Sequence, residues 1–423
     1  MFGNTKTYEI RCPVYGFIHF HEWERDIINH KYFQRLRRIR QLGGTDLVYP
    51  GAMHTRFEHS LGVMQMVTTL YDGIIDRSKE ILVDHSQASL DFNRMLLRLA
   101  ALLHDIGHAP FSHASESLFP EKPDGLKGKY THEDYSALIT RKLFKDVIDD
   151  NRLLYNHGIT ANKVAGLIEG SQEAEASLYW RDLLSGQLDA DRMDYLLRDS
   201  IHAGVDYGRY DWRRVSNTII ALPVSGKEEQ PNFGVNAGGF HAAEGLILAR
   251  YFMFTQVYFH KTRIAYDHHL QETLSTLLPD RQFPPPTEDC IEDYLSWDDG
   301  KVLGLLSEGK GGEHGRRMME RDHYRLIRET PETPQKEDIE KYERWKERLG
   351  ELLRYEGRAD KSWYKADSLD LPVVSETTDR KVRPLSELSG FISKINPIQQ
   401  IKLYVAIEDR DEAIRRLAPM EDY

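Results

Sequence analysis

Four stretches of this chain concentrate the side chains that do metal, acid–base or phosphate chemistry. The first, Gly51 to Gly62, holds His54, Arg56, Glu58 and His59. His59 precedes Val63 by four residues and Met66 by seven, so on a helix it shares their apolar, inward face. The second, Leu102 to His113, holds His104, Asp105, His108 and His113. His104 and Asp105 end a strongly apolar helical run. Gly107 reads as the cap that stops it, and Pro110 forbids its simple continuation. The third is Thr131-His132-Glu133. The fourth, Gln187 to Asp199, sets Asp191, Tyr195 and Asp199 at i, i+4 and i+8, along one helical face. Each alone has an ordinary explanation, such as a hydrogen-bonded core histidine or a solvated acidic face. Together, two histidines and two aspartates on separate inward-facing helices can surround one ion, and unpaired carboxylates there would be costly without such a partner. Mixed imidazole and carboxylate ligands suit Mn, Fe, Zn or Ni better than Mg or Ca. Of the 18 histidines, seven lie between His54 and His132.

The elements that must position these groups are mostly helical. Tyr8 to Phe20, around Gly16, predicts a short hairpin. Phe33, Leu36 and Ile39 recur at helical spacing, as do Val63, Met66, Val67 and Leu70, then Leu96, Leu99, Ala100 and Leu103. Glu133 to Val147 and Gln187 to Ser200 also read as helices. Glu244 to Leu278 predicts a mostly buried helix or pair of helices. Pro284 to Pro286 mark a break. Beyond it, Ser307 to Gly315 reads as a mobile Gly-rich loop, Gln335 to Arg358 as a charged helix, and Ile401 to Ile407 as a strand buried on one side. The fold class is therefore mainly α: a helical domain at 1–285 with a short N-terminal hairpin, then a smaller α+β region at 286–423 that serves oligomerisation or regulation.

Bulk properties bound the function. A net charge of -11 argues against a general nucleic-acid binder, so a phosphate site has to be a local basic pocket. Two cysteines, Cys12 and Cys290, make no disulfide framework, and a reducing cytoplasm is the expected location. No apolar run approaches the roughly 18 residues of a membrane span, and Met1 to Arg11 lacks the apolar stretch of a signal peptide.

The order His…His-Asp…Asp resembles the signature of the HD superfamily. Tyr32 to Gly44, His54 to His59, His104 to His113 and Asp189 to Tyr195 narrow it. They look like the SAM-and-HD-domain dNTP triphosphohydrolases and their bacterial relatives, over roughly residues 8–270. The resemblance implies His59, His104, Asp105 and Asp191 as ligands of one divalent transition metal, with Mg accompanying the triphosphate. It implies Arg56 and Arg192 at the triphosphate, and His108, His113 and His132 at the reaction centre, with Glu116 and Glu133 orienting imidazoles. Gln41 and Leu42 would sit beside the sugar, Tyr195 would exclude a 2′-hydroxyl, Asp199 would bind the 3′-hydroxyl, and Tyr266 would pack near sugar or base. The family's triphosphate-contacting arginine on the later helix aligns with Tyr258, which leaves Lys261 or Arg263 as substitutes.

The resemblance further implies a homo-oligomer, dimer or tetramer, with a regulatory nucleotide site at Asn29, Gln34 and Arg37. An aspartate that accepts two hydrogen bonds from guanine in the family aligns with Asn29, whose amide offers one acceptor and one donor, so GTP is not expected to activate strongly. A plainer role for Asn29 is to cap a helix starting near His30. The run Arg35, Arg37, Arg38, Arg40 reads equally as a solvated helix face or as an interfacial phosphate site. The implied reaction is hydrolysis of a dNTP to deoxynucleoside and inorganic triphosphate. An HD phosphodiesterase or nuclease, acting on cyclic nucleotides or single-stranded nucleic acid, would need the same ligands and is less favoured by the strings around Gln41 and Asp191. A non-catalytic nucleotide sensor would have no need of a water-activating ion.

Overall fold

A computed structural model describes residues 6–123, 127–222, 233–362, 364, 370–375 and 381–418. Its centre is the Arg56–Arg77 helix, along which the Gln87–Leu103 and Ala190–Ala203 helices pack. The Ala161–Glu169 helix joins Gln87–Leu103 to His132–Leu143. Residues 63, 66, 67 and 70 of the central helix are fully buried, as their spacing predicts. Thr55 and Glu58 form a capping box at its start, which satisfies the Glu58 and Thr55 N–H groups at the turn that carries His59.

The hairpin pairs Thr7–Cys12 with Gly16–His21, antiparallel. Gly16 sits at φ +78° in its turn, a left-handed conformation that glycine adopts without strain. The 244–278 region is a pair of helices, Phe240–Met253 and Lys261–Leu277, joined through a π-turn at Phe254–Tyr258.

Several expectations are corrected. The 33–39 run is a five-residue helix, Lys31–Arg35, followed by a 3-10 turn. Its arginines share no solvated face: Arg35 is buried, bonded to the carbonyls of Trp297 and His108, while Arg38 pairs with Asp298 and Arg40 with Asp46. Asn29 ends the Glu22–Asn29 helix rather than capping the next, whose N-cap is His30. Gly107 is not a left-handed cap. Its lack of a Cβ lets the loop approach the His132 carbonyl and the Ser136 amide. Within the 307–315 stretch only residues 308–311 form a turn, between the helices Asp299–Ser307 and Gly312–Met319. The charged helix ends at Leu349 and a strand, Leu353–Arg358, follows. Strand Ile401–Val405 is buried throughout, because it is the middle of a three-stranded antiparallel sheet between Arg325–Glu329 and Leu353–Arg358.

The prolines at 284–286 mark no break in packing. The main apolar core runs on through Ile291, Tyr294, Trp297 and Val302 to Leu371, Val373 and Leu385. A four-stranded sheet pairs Phe233–Asn236 in parallel with Pro372–Val374, so the two regions share a sheet as well as a core.

Candidate active site

Three helix ends and one loop bring His59, His104, Asp105 and Asp191 together. His59 lies in the first turn of Arg56–Arg77, His104 is the C-cap of Gln87–Leu103, and Asp191 lies in the first turn of Ala190–Ala203. The nitrogen His59 Nε2 is 3.0 Å from Asp191 Oδ1 and 3.4 Å from Asp105 Oδ2. His104 Nε2 is 3.3 Å from Asp105 Oδ1 and 3.8 Å from Asp191 Oδ1. Both Nε2 atoms are buried yet have no hydrogen bond. Their Nδ1 atoms are engaged: His59 Nδ1–H donates to Asp194 Oδ2 at 2.8 Å and His104 Nδ1–H to the Ala101 carbonyl at 2.8 Å. These bonds set the tautomer that turns each Nε2 lone pair inward, the arrangement of a metal-ligating imidazole. Burial alone would lower the His59 pKa, but Asp191, Asp194 and Asp105 reverse this and raise it to about 10. The cluster therefore attracts positive charge, and its donor set fits a divalent transition ion.

Asp194 was not singled out from the sequence, yet it anchors this arrangement. It is fully buried, accepts from Tyr15 Oη at 2.9 Å, and receives two bonds of 2.8 Å from the buried Arg198. A Cβ on Gly62 would land on both Asp194 Oδ1 and Arg198 Nη2, which explains a glycine in the middle of that helix. The i, i+4 spacing of Asp194 and Arg198 is the sequence signal that could have found the pair.

Beside the four lies a second group. Glu116 Oε1 is 2.8 Å from His132 Nδ1, 3.0 Å from His113 Nδ1 and 3.6 Å from His108 Nδ1. His108 stacks on His132 with ring centres 3.9 Å apart, and its Nε2 faces Asp105 Oδ1 at 3.2 Å. Burial drives His108 well down, helped by Arg56. Burial also opposes the charge on His132, yet Glu116 and Glu133 outweigh it and raise that histidine. Glu116 is held well below the usual carboxylate range against its burial, chiefly by His113 and His132. The stacked rings are thus shifted in opposite directions, His108 toward the neutral form and His132 toward the cation, a pairing suited to acid–base and phosphate chemistry. This group of three histidines and Glu116 also has the spacing to hold a metal ion.

His104, Asp105, Asp191, His108, His113 and His132 line a cavity of about 250 Å³ that also takes in Gln41, Arg56, Glu133, Arg192 and Tyr195, with His59 and Glu116 behind its wall. Arg56 is bonded to Asp105 at 2.6 Å and to Ser112 Oγ at 2.9 Å. Arg192 pairs with Asp189 at 3.0 Å. The sequence reading missed Arg181, which lines the same cavity. Its Nε and Nη2 donate to the carbonyls of Leu167 and Ile168, both at 2.9 Å, and it has no carboxylate partner among the described residues. It sits in an irregular 3-10 segment where no periodicity could have marked it. Arg250 was also missed; it lies near enough to Tyr195, Arg192 and Asp189 to interact with them electrostatically.

Other expected residues are placed elsewhere. Asp199 is buried and off the cavity wall, with one oxygen 2.7 Å from His54 Nε2 and the other accepting from Tyr258 Oη at 2.6 Å. Leu42 is buried beside the site without lining it. Tyr266 is buried with its ring against His323. Arg263 bonds the Tyr258 carbonyl and lies 3.4 Å from Asp267, and Lys261 lines a different cleft. Arg37 lines a third cleft under the hairpin, its guanidinium over Phe57 and bonded to Gln34 Oε1; Asn29 is exposed outside it.

A helical bundle that turns two imidazoles and two carboxylates, in this order, onto one cavity is the frame of an HD-type phosphohydrolase. The chain belongs to the HD-domain family: residues 56–199 match the HD domain and residues 229–351 the HD associated region. An uncharacterized protein of Methanocaldococcus jannaschii is 31% identical over 96% of this chain and 80% of its own length. The deoxynucleoside triphosphate triphosphohydrolase SAMHD1 of Gallus gallus is 33% identical over 48% of this chain and 35% of its own. A solved structure of a hypothetical protein from Aquifex aeolicus superposes with a TM-score of 0.78 at 29% identity, over 97% of this chain and all of that one. Other curated relatives are longer, and the match spans about half of their length (51% and 48% in two cases). No helix among the described residues is long and apolar enough to cross a membrane.

Proposed function

We propose that the chain hydrolyses deoxynucleoside triphosphates at the α-phosphorus, releasing deoxynucleoside and inorganic triphosphate. The observation that carries this reading is the joining, in one cavity, of an inward-turned His/Asp set, a histidine–glutamate group and three arginines. A divalent transition ion held by His59, His104, Asp105 and Asp191 would acidify a water and draw charge from phosphorus. Arg192 and Arg181 bring positive charge to the wall where a triphosphate would lie, Arg181 with its Nη1 edge left by the bonds to Leu167 and Ile168, and Arg56 fixes Asp105 while lining the same space. As the P–O5′ bond breaks, the leaving oxygen needs a proton, and the His113–Glu116–His132 group is built to carry one. Tyr195, one turn beyond Asp191, stands where a sugar attached to that phosphate would lie. The Gallus gallus relative bears the name of this activity, which supports the reading.

The test is direct. Mn-loaded full-length protein is offered each dNTP, NTPs, cyclic nucleotides and single-stranded DNA, and products are separated by chromatography. Deoxynucleoside with inorganic triphosphate is the expected pair. Release of monophosphates from DNA or cyclic nucleotides, with dNTPs left intact, would replace this reading with a phosphodiesterase.

A further inference from the structure

Strand Ile401–Val405 sends Ile401, Leu403 and Val405 to one face of its sheet, into a small core with Tyr342, Leu349 and Leu417. Alternate residues of a strand point the other way. There Lys402 and Tyr404 reach the join between the Phe240–Met253 and Lys261–Leu277 helices. Lys402 is only 6% exposed. Its Nζ donates to the Phe259 carbonyl at 2.7 Å, lies 4.2 Å from the centre of the Phe259 ring, and has the Glu329 carboxylate 3.7 Å away. Tyr404 Oη donates to the Lys261 carbonyl at 2.8 Å. An ammonium is costly to bury where an apolar side chain would fill the space, so the carbonyl it meets is informative. Phe259 is where the first helix ends. The π-turn Phe254–Tyr258 closes there through a 2.7 Å bond from the Phe259 amide to the Phe254 carbonyl, and His260 follows in an extended conformation. A cation at the last carbonyls of a helix also meets the negative end of its dipole. Arg263, from the following helix, bonds the preceding carbonyl, that of Tyr258; Lys402 is the tie that comes from the sheet.

A single π-turn in a helical run is rare and is frequent at functional sites. This one ends in Tyr258, whose Oη donates to Asp199 at 2.6 Å and whose ring meets that of Tyr195 edge-on, with centres 6.3 Å apart. Tyr195 lines the active-site cavity, and Asp199 lies on the helix that also carries Asp191. We infer that Lys402 is a positioning residue for the sugar end of the active site: from the C-terminal sheet it holds the end of the π-turn, and so sets where Tyr258 stands against Tyr195 and Asp199. Lys402 does not itself line the cavity. With the ammonium gone, the Phe259 carbonyl loses its side-chain partner and the turn beside Tyr258 is free to shift. The inference rests on the reading of that cavity as a nucleotide site. It requires a sugar beside Tyr195, and no particular bond to be cleaved.

Competitive inhibition tests it at the active site alone. The Mn-loaded full chain hydrolyses bis(p-nitrophenyl) phosphate, which has no sugar, in the presence of one of two inhibitors: a non-hydrolysable α,β-imido dNTP, or inorganic triphosphate. Lys402→Met removes the donor and keeps the length of the stem. It is expected to raise the inhibition constant of the dNTP analogue about tenfold and to leave that of triphosphate unchanged. Lys402→Arg, which keeps a donor, should recover most of the loss. Leu403→Ala, on the opposite face of the same strand, is the stability control: it lowers the melting temperature and leaves both constants alone. Lys402→Gln replaces Lys402→Met if the latter does not fold. Constants that rise together, constants that do not move, or the same split in Leu403→Ala overturn the inference. Failure of the function reading shows separately, as dNTPs left intact by the wild-type protein, and does not alter the comparison of the two inhibitors.

Discussion

At the scale of single residues, the site separates groups that would touch an ion from groups that aim them. Asp194 belongs to the second kind: it holds the His59 Nδ1 proton and is itself held by Arg198 and Tyr15. Asp194→Asn can still accept from His59 but loses its charge. Metal affinity is expected to fall roughly 10–100-fold with the fold retained, read by titration with a competing chelator alongside thermal melting. An unchanged affinity would leave Asp194 as packing only. His113→Ala and His132→Ala should keep the metal and lose about 10²–10⁴ in rate; loss of metal from both would move these histidines into the ligand set. Arg181→Gln should raise KM for a nucleoside triphosphate well above its effect on kcat, and should hardly change KM for a phosphate monoester. Equal effects on the two substrates would remove Arg181 from the triphosphate. The histidines and aspartates were legible in the sequence because their spacing within short strings fixes which helix face they share. Arg181 was not, because it lies in an aperiodic segment; for Asp194 the i, i+4 spacing offers the pair with Arg198, but its role is defined only through His59, 135 residues away.

At the scale of elements, the loop after His104 needs outside support. Phe111 and Ser112 both have positive φ, 59° and 56°, an uncommon state for residues with side chains. Asp299, at the start of the Asp299–Ser307 helix, accepts from the Phe111 amide at 2.8 Å and the Arg40 amide at 2.9 Å. Burial raises its carboxyl to about 7 from an ordinary value near 3.8. Across that window the folded chain keeps a proton that the unfolded chain has released. This carboxyl therefore makes stability fall as pH rises from about 4 to about 7, and adds no further slope above. Asp299→Asn removes that slope, and it leaves one amide N–H facing an NH₂ group at a cost of roughly 1–3 kcal/mol. Urea unfolding of both proteins at several pH values checks this; parallel pH profiles would mean that Asp299 does not titrate there. The apolar periodicity of the helices was readable in advance, but this clamp was not, since it joins residues 188 apart.

At the scale of the whole molecule, a change in composition at residue 285 suggested two domains, and the packing joins them. Tyr294 bonds the Gly107 carbonyl, Arg35 bonds the Trp297 carbonyl, and Val235 pairs with Val373 across a parallel strand contact. The chain is expected to melt in one calorimetric transition, with calorimetric and van't Hoff enthalpies in agreement. Two separated transitions would restore the two-domain picture. The composition gave no warning because it reports what each segment is made of, and not which partner buries it. The clamp at Asp299 then has a consequence for inheritance. A gene fragment spelling only residues 56–199 would encode the ligands without the residue that holds their loop, so recombination that exchanges the later half of this gene must also carry over a carboxylate matched to that loop. The Asp299–Ser307 helix of the second half is thereby tied to the reaction centre through the loop that follows His104.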